Sequence, residues 1–414
     1  MGDKIVRLIR PISAMLVTAL LACPGAGATA TPQALDDDGL RACLAGVAAP
    51  SSFSGVMAVT RPGGTVSYAQ GLMAGAGSTA IASGARFNLG SASKMFTAVA
   101  VAQLVDAGKV SLDDPIRNHV DGLTPGAGAV TVRQLLTHSS GLGNFFTPDN
   151  LPALEAARSL SDLKPLVVRE RPEFPPGSRV QYSNSGFLLL GLMIEHVSGE
   201  SYEDYLQRHI FAPSGMTASS TLPGSDTERA VGMTNMPEML LPPPGGAPGQ
   251  HAGPPGPPLG PPPGPPPGMP GGPNGMQMPP PGPLRPAVEA ALVGNSAGGA
   301  YSNAADMQRF FASLVAGKLT SAAMRDRLLS TQIAMDPASP SRPAVSHGLG
   351  FAVGTYNGHR WMGHNGGTLG VNVETATFPD DQTTIVIMAN RDPPVATDLM
   401  RNVRAILFDG GTCT

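Results

Sequence analysis

Ser91 and Lys94 lie three residues apart at the start of the long apolar segment 87–110 and could supply a nucleophile and its base. Residues three apart share one face of a helix, so the Ser91 hydroxyl and the Lys94 amine can meet. A serine is a weak nucleophile until a base removes its proton, and a lysine can be that base when burial lowers its pKa. The pair predicts a serine hydrolase, with an ordinary helix N-cap serine as the alternative interpretation.

Two other serines lie in motifs of the same kind. Ser161 precedes Lys164 by three residues, but Pro165 disfavours helical geometry at Lys164, so we interpret this match as chance. Ser296 lies in a Gly-x-Ser-x-Gly sequence at 294–298, which is typical of the nucleophile turn of α/β-hydrolases. That turn requires a preceding strand, whereas proline-rich sequence stands before Ser296, so the sequence favours Ser91.

Tyr182 and Asn184 lie in a polar segment directly before an apolar stretch that predicts a helix over 187–198. A tyrosine there can relay a proton, and Asn184 points the same way if the segment is extended. The alternative is a structural tyrosine that packs against the start of the helix.

A glycine-rich segment at 363–368 reads Gly-His-Asn-Gly-Gly-Thr and lies between two predicted strands. Its glycines let the backbone approach a ligand closely. A backbone N–H here could complete an oxyanion hole with the N–H of Ser91. His364 could equally be a histidine in a surface turn.

The elements that must position these residues predict an α+β fold. Strand patterns occur at both ends of the chain, and helical patterns fill most of the middle. The economical arrangement is one antiparallel sheet formed from 31–86 and 341–414 and flanked by the terminal helices. A mostly helical domain, 87–340, would be inserted and would carry the catalytic helix.

Within that domain, the segment 237–286 is dominated by proline and glycine and carries almost no charge. Such a composition cannot form a packed core, so we predict a disordered surface loop with local polyproline-II structure. An alternative gives it a function as a docking site for a proline-binding module or the cell wall.

The first 30 residues resemble a secretory signal peptide. Lys4, Arg7 and Arg10 precede an apolar core at 12–21 that is too short to span a bilayer, and an Ala-x-Ala site follows. The sequence therefore predicts a periplasmic or secreted protein without a transmembrane helix after signal removal. A lipoprotein anchored at Cys23 is the alternative.

Composition excludes some partners and leaves one question open. A net charge of −3 gives no basic surface for nucleic acid, and no metal-binding or cofactor motif is present. If Cys23 leaves with the signal, Cys43 and Cys413 remain as a candidate disulfide in an oxidising compartment. The alternative is that the two cysteines do not pair and are simply small residues at unrelated positions.

Taken together, these motifs resemble those of the serine β-lactamase and penicillin-binding protein superfamily, closest to class C β-lactamases, family VIII esterases and DD-peptidases. The segments that carry the resemblance are 87–94, 112–115, 135–142, 182–184, 297–299 with Asp306, and 363–367.

The resemblance implies a function for each candidate residue. Ser91 would be the acylated nucleophile, with Lys94 and Tyr182 sharing the base and acid steps. The substrate-binding residues would be Asn184, which contacts the substrate amide, His364, Gly366, and Gly367 as the second oxyanion donor. It also implies that the first and last helices lie side by side, which would bring Cys43 near Cys413. The substrate would be a small ester, amide or peptide.

His364 departs from the pattern, because β-lactamases usually carry the lysine of Lys-Thr-Gly at this position. An unperturbed histidine is only partly cationic near neutral pH and would hold a substrate carboxylate weakly. We therefore expect an exported serine hydrolase with weak or no β-lactamase activity. The alternatives are a true β-lactamase and a non-hydrolytic protein that binds penicillin or senses the cell wall.

Overall fold

The computed structural model describes residues 35–224, 227–236, 282–287, 295–336, 345–411 and 413. The described residues from Asp36 onward form one compact unit. The helices are α1 (Asp37–Ala48), α2 (Lys94–Asp106), α3 (Pro125–Gly128), α4 (Val132–Leu136), α5 (Leu151–Ala156), α6 (Leu160–Leu163), α7 (Asn184–Ser198), α8 (Tyr202–Leu206), α9 (Ala212–Ser214), α10 (Ala304–Val315), α11 (Ala322–Leu329) and α12 (Val395–Phe408).

The strands are β1 (Gly55–Arg61), β2 (Gly64–Gln70), β3 (Phe87–Asn88), β4 (Met233–Thr234), β5 (Arg285–Pro286), β6 (Tyr301–Ser302), β7 (Ile333–Asp336), β8 (Val345–His347), β9 (Ala352–Tyr356), β10 (His359–Thr368), β11 (Val371–Phe378) and β12 (Thr383–Ala389). Eight of these described strands form one sheet in the order β2-β1-β12-β11-β10-β9-β8-β7. Every neighbouring pair in it is antiparallel.

This sheet confirms the predicted α+β fold, because β1 from the start of the chain pairs with β12 from its end. Two details differ from the prediction. The sheet already includes Ile333, inside the segment assigned to the helical domain. The glycine-rich segment 363–368 is not a loop between strands but the second half of β10. The segment consists of glycines and polar residues and so lacks a strand pattern, since glycine is depleted in strands and weakens them.

Helix α2 lies in the centre of the fold. Most of its residues are buried whichever way they point, as its uniformly apolar sequence predicts. The residues before it, Gly90–Ser93, form a 3₁₀ turn that continues directly into the helix. Ser91 therefore stands at the entrance of a buried helix, and Lys94 is inside it.

Helices α1 and α12 pack together beside the sheet. Thr397 of α12 donates to the Glu374 carboxylate of β11 at 2.7 Å, which fixes the helix against this face. Because α1 and α12 are neighbours, Cys43 on α1 lies near Cys413, which follows α12 in the chain. The two cysteines form a disulfide with their Cα atoms 4.5 Å apart.

The predicted signal peptide and the predicted proline-rich loop lie mostly in parts of the chain that the structure does not describe. The signal segment lies outside the described residues, as does 237–281 of the proline-rich segment. The ends of that segment lie close together, because Thr234 of β4 is the register partner of Arg285 of β5. No helix among the described residues is long and apolar enough to cross a membrane.

The disulfide leads to a prediction about stability. Cys43→Ser in the mature protein should lower the free energy of unfolding by about 3 to 5 kcal/mol, because the crosslink restricts the unfolded chain. Urea denaturation of oxidised protein measures the change. The double variant Cys43→Ser/Cys413→Ser should be no less stable than either single variant, since one bond is lost in all three. Two free thiols in denatured, unreduced mature protein would contradict the pairing.

Candidate active site

The Ser91 hydroxyl contacts both other members of the predicted catalytic group. Its Oγ accepts a hydrogen bond from the Tyr182 hydroxyl at 2.6 Å and lies 3.2 Å from Lys94 Nζ. The turn that carries Ser91 is fixed by Asn88, whose Oδ1 accepts from the Gly90 N–H at 2.8 Å. The structure thus brings Tyr182 to a serine and a lysine that lie about 90 residues earlier in the chain.

Lys94 is fully buried, with 0% of its surface exposed. Desolvation lowers its pKa well below the ordinary value, because burial penalises the charged ammonium form. Nζ also donates to Asn184 Oδ1 at 2.7 Å and to the carbonyl oxygen of Ala297. These two acceptors occupy both N–H bonds of a neutral amine, so its lone pair is left for the Ser91 hydroxyl. The arrangement suits a general base.

Tyr182 is in the opposite chemical state. Burial raises its pKa above the usual value, and the hydrogen bond to Ser91 only partly offsets this effect. The phenol therefore keeps its proton and donates it to Ser91 Oγ. The two pKa shifts therefore favour Lys94 as the proton acceptor and Tyr182 as the proton donor.

Asn184 takes a position that the sequence did not predict. It is the first residue of α7 rather than part of an extended segment, because Ser183 acts as the N-cap and accepts from the Gly186 N–H. Its amide joins two groups: Oδ1 accepts from Lys94, and Nδ2 donates to Asn144 Oδ1 at 2.9 Å. Asn184 thus orients Lys94, and its contact with a substrate amide stays a prediction.

The glycines of β10 lie directly against the Ser91 turn. A Cβ atom on Gly366 would stand 1.9 Å from the carbonyl oxygen of Leu89, and one on Gly90 would stand 3.1 Å from the Gly367 nitrogen. Only glycine permits this approach of the two backbones. It brings the Gly367 N–H close to the turn whose Ser91 N–H could be the other oxyanion donor.

His364 is buried, with 8% of its surface exposed, and its Nδ1 lies 2.5 Å from the carbonyl oxygen of Asn365. Burial, followed by the nearby Lys94, lowers its pKa to about 3. The expectation of an ordinary, partly cationic histidine was therefore wrong. The reason is that the sequence does not show how deeply a residue will be buried.

His138 lies at the site, against Tyr182, and sequence reasoning missed it. Its ring stacks on Tyr182 with centroids 4.4 Å apart, and its Nδ1 accepts from the Ser183 N–H at 3.1 Å. The backbone is left-handed here, with φ of 55°. His347 lies beside it, with ring centroids 5.3 Å apart. The only signal in the sequence was the motif 135–142, which was noted for the resemblance and given no chemistry.

The buried histidines predict acid sensitivity. Burial lowers the pKa of His138 well below its ordinary value and that of His347 to about 4. The unfolded chain therefore binds more protons than the folded protein below about pH 6.5, so stability falls as pH falls from there. As pH falls from 7.5 to 5.5, each such histidine lowers the free energy of unfolding by about 1.4 kcal/mol. His364, which is also buried, adds a third contribution of this kind. Buried Glu170 and Glu374, with raised pKa values, act in the opposite direction.

Urea denaturation at the two pH values checks this prediction. His347→Gln replaces a titrating ring by a neutral side chain and should reduce the pH dependence of the unfolding free energy by about 1.4 kcal/mol. An unchanged pH dependence in this variant would contradict the assignment of a neutral, buried His347.

The two rival serines, Ser296 and Ser161, lack the surroundings that Ser91 has. Ser296 has 0% of its surface exposed, and its Oγ lies 2.2 Å from where a Cβ atom on Gly191 of α7 would be. Ser161 is exposed on the short helix α6. Its neighbour Lys164 is helical despite the proline that follows, contrary to expectation. Among the described residues, no group of three or more His, Cys, Asp and Glu side chains could hold a metal ion.

Known proteins resemble this chain over much of its length. A family model described as Beta-lactamase matches residues 40–409. "Penicillin-binding protein 4" of Amycolatopsis lactamdurans is 30% identical over 191 residues, 45% of this chain and 49% of the relative. "Putative penicillin-binding protein PbpX" of Bacillus subtilis (strain 168) is 25% identical over 312 residues, 73% of this chain and 62% of the relative. The chain thus spans about half of the length of the first of these curated relatives and 62% of the second.

Solved structures show the same fold. A penicillin-binding protein from Bacillus halodurans has a TM-score of 0.71 at 25% identity, with 88% of this chain and 98% of that chain covered. A D-amino acid amidase from Ochrobactrum anthropi SV3 has a TM-score of 0.69 at 21% identity, with 90% and 98% covered. With the family model spanning nearly the whole described chain, these findings show that the protein belongs to the Beta-lactamase family.

Proposed function

We propose that the protein is an exported serine hydrolase that cleaves esters or amides through an acyl-enzyme on Ser91, with weak or no β-lactamase activity. The observation that carries this proposal is the position of Ser91 Oγ between Lys94 Nζ and the Tyr182 hydroxyl, at 3.2 and 2.6 Å. One neighbour can take a proton and the other can give one, which is what acyl transfer requires.

The proposed reaction begins with transfer of the Ser91 hydroxyl proton to the neutral Lys94 amine. Oγ then forms a bond to the substrate carbonyl carbon, and the N–H groups of Ser91 and Gly367 stabilise the resulting oxyanion. Tyr182 donates its proton to the leaving alcohol or amine as that bond breaks, and Lys94 returns a proton to Tyr182. A water molecule then attacks the acyl-enzyme by the same proton transfers in reverse, which releases the acid and restores Ser91.

His364 supports the preference for substrates other than β-lactams. Its pKa of about 3 leaves it uncharged at neutral pH. A substrate carboxylate would then lack the charge-assisted hydrogen bond that a lysine supplies, worth roughly 1.5 to 3 kcal/mol. A partly cationic histidine would bind a carboxylate better as pH falls toward 6. A histidine that stays neutral predicts instead that the Michaelis constant of an anionic substrate is flat between pH 6 and 8.

Export is supported by the signal-like first 30 residues and by the disulfide between Cys43 and Cys413. The N-terminal sequence of the exported protein tests this part. A mature chain that begins at Thr31 is expected, whereas a lipid-modified Cys23 would support the lipoprotein alternative. The proline-rich segment 237–286 remains a candidate contact with the cell wall or another protein.

Turnover of a substrate panel tests the function. We expect hydrolysis of a short p-nitrophenyl ester and of an uncharged amide, and little hydrolysis of nitrocefin or a D-Ala-D-Ala peptide. An active-site phosphonate should label Ser91. Efficient nitrocefin hydrolysis would support a true β-lactamase. A burst without steady-state turnover would support the non-hydrolytic sensor.

A further inference from the structure

Tyr182 lies in a part of the chain that has no regular backbone structure of its own. Residues 167–183, which precede α7, form no helix or strand. The phenol must nevertheless keep its hydroxyl 2.6 Å from Ser91 Oγ, because proton transfer requires hydrogen-bond distance. A segment without a helix or sheet to hold it needs other contacts to fix its position. The placement of the proton donor therefore depends on residues outside this segment.

His138 holds three consecutive residues around that phenol. Its carbonyl oxygen accepts from the Gln181 N–H at 2.8 Å, and its Nδ1 accepts from the Ser183 N–H at 3.1 Å. Its ring stacks on the ring of Tyr182, with centroids 4.4 Å apart and planes 28° from parallel. A single residue thus fixes Tyr182, the residue before it and the residue after it.

His138 is itself anchored in the regular framework of the fold. It follows α4, and its N–H donates to the Leu135 carbonyl oxygen at 3.2 Å. Its ring also packs on Phe187 of α7, with centroids 5.0 Å apart, and lies against His347 of β8. Only 1% of its surface is exposed, so its close-packed surroundings leave the ring little freedom to turn. These contacts tie the position of Tyr182 to α4, α7 and β8.

The hydrogen bond from Ser183 fixes the proton on the His138 ring. A backbone N–H only donates, so Nδ1 must be the acceptor. The neutral ring then carries its proton on Nε2, which is buried without a hydrogen-bond partner among the described residues. A buried, unpaired donor and a left-handed backbone, with φ of 55°, both cost stability. Such costs are typical of positions where a functional geometry is held.

We propose that His138 is a positioning residue, which holds Tyr182 so that the phenol can give its proton to the leaving group. The inference rests on the proposed hydrolase function and adds a residue to it. His138 acts through Tyr182 and transfers no proton itself, because Nδ1 is occupied by the Ser183 N–H and Nε2 has no described partner.

A second route from His138 to the reaction must be told apart from this one. Ser183 is the N-cap of α7, and the first residue of that helix, Asn184, accepts from Lys94 at 2.7 Å. Loss of His138 through this route would disturb the base instead of the acid. The two routes affect different substrates. Every ester needs the base for the attack by Ser91, whereas only a strongly basic leaving group needs a proton from Tyr182.

Two butyrate esters separate the acid from the base. p-Nitrophenolate leaves without a proton and ethoxide does not, while both esters form the same acyl-enzyme, so their kcat/KM values compare acylation alone. His138→Asn keeps an acceptor at the position of Nδ1 and tolerates the left-handed backbone, but it removes the ring. His138→Phe keeps the ring and removes the acceptor.

We expect kcat/KM of the His138 variants to fall about tenfold or more for ethyl butyrate and at most about threefold for p-nitrophenyl butyrate. A changed ratio of the two esters in either variant supports the inference and identifies the contact responsible. An unchanged ratio in both variants would overturn it. Cys43→Ser is the matched control, because it destabilises the fold through the disulfide with Cys413 and should leave the ratio unchanged.

Tyr182→Phe shows whether His138 acts through the phenol. It should change the ester ratio more than either His138 variant, since it removes the proton donor itself. Adding His138→Asn or His138→Phe to it should lower ethyl butyrate hydrolysis less than about twofold further, because the interaction is already lost. A further loss as large as that of the single variant would overturn the inference.

The same assays distinguish failure of the inference from failure of the proposed function. If Tyr182→Phe left the ester ratio unchanged, Tyr182 would not be the proton donor, and the inference would fall while hydrolysis through Ser91 stood. If the unmodified enzyme hydrolysed neither ester, nor any other member of the substrate panel, the hydrolase function itself would be rejected.

A measurement on the unmodified enzyme applies even if neither His138 variant folds. In ¹⁵N-histidine-labelled protein at neutral pH, the His138 ring, identified by its contacts with the Tyr182 ring, should show protonated Nε2 and unprotonated Nδ1. A proton on Nδ1 would face the Ser183 N–H and exclude the hydrogen bond between them, which would overturn the inference.

Discussion

Ser91→Ala should lower kcat by about three orders of magnitude or more, because none of the other described residues in contact with Lys94 and Tyr182 can form the acyl-enzyme. The fold should be unaffected, since the turn at Gly90–Ser93 is held by hydrogen bonds that do not involve the Ser91 side chain. Steady-state hydrolysis of a short p-nitrophenyl ester, with circular dichroism as the check on folding, measures both outcomes.

The rival serines provide matched controls for this variant. Ser296→Ala removes a fully buried hydroxyl whose Oγ has no hydrogen-bond partner, so activity and stability should change little. Ser161→Ala changes an exposed side chain on α6 and should behave like the unmodified enzyme. If Ser296→Ala proved inactive while folded, the assignment of Ser91 as nucleophile would fail.

Gly366→Ala should lower kcat strongly, though less than Ser91→Ala does. The new Cβ would stand 1.9 Å from the Leu89 carbonyl oxygen and 3.2 Å from the Ala92 nitrogen, so β10 and the Ser91 turn must separate. That movement pulls apart the two proposed oxyanion donors, whose loss typically costs a factor of about 100 to 1,000 in kcat. The added strain should also destabilise the fold by roughly 1 to 3 kcal/mol.

Gly84→Ala is the control, because a Cβ at Gly84 would meet nothing within 4 Å and this glycine has no left-handed backbone. It should leave kcat and the melting temperature unchanged. Kinetic assays and thermal unfolding of both variants measure these changes in kcat and melting temperature. A Gly366→Ala enzyme with full kcat would show that the close contact between β10 and the turn is not needed for catalysis.

Much of the architecture could be predicted from the sequence because it depends on local patterns. The uniformly apolar segment after Ser91 had to be a buried helix, and α2 is one. Helix α10, Ala304–Val315, begins directly after Asn303, which gives a clear N-cap signal in the sequence. Strand patterns at both ends of the chain led to the correct sheet, because one antiparallel sheet is an economical way to bury both sets together.

Other features could not be predicted, since they depend on contacts between distant residues. The N-terminal start of α7 at Asn184 follows from Ser183, whose hydroxyl also donates to the Gly143 carbonyl oxygen 2.9 Å away. The second half of β10 was mistaken for a loop because its strand character comes from pairing with β11 and not from its residue types. His138 was overlooked because stacking on Tyr182 exists only after folding.

The sequence by itself determined which groups could react: a serine and a lysine on one helical face, a tyrosine before a second helix, and glycines that permit close approach. Residue type and local spacing are sufficient for that. The tertiary structure alone decided their protonation states, since a pKa depends on the depth of burial and on neighbouring charges. Folding leaves Lys94 readily deprotonated, keeps Tyr182 protonated, and holds His364 neutral. Burial therefore sets the direction in which protons move at this site.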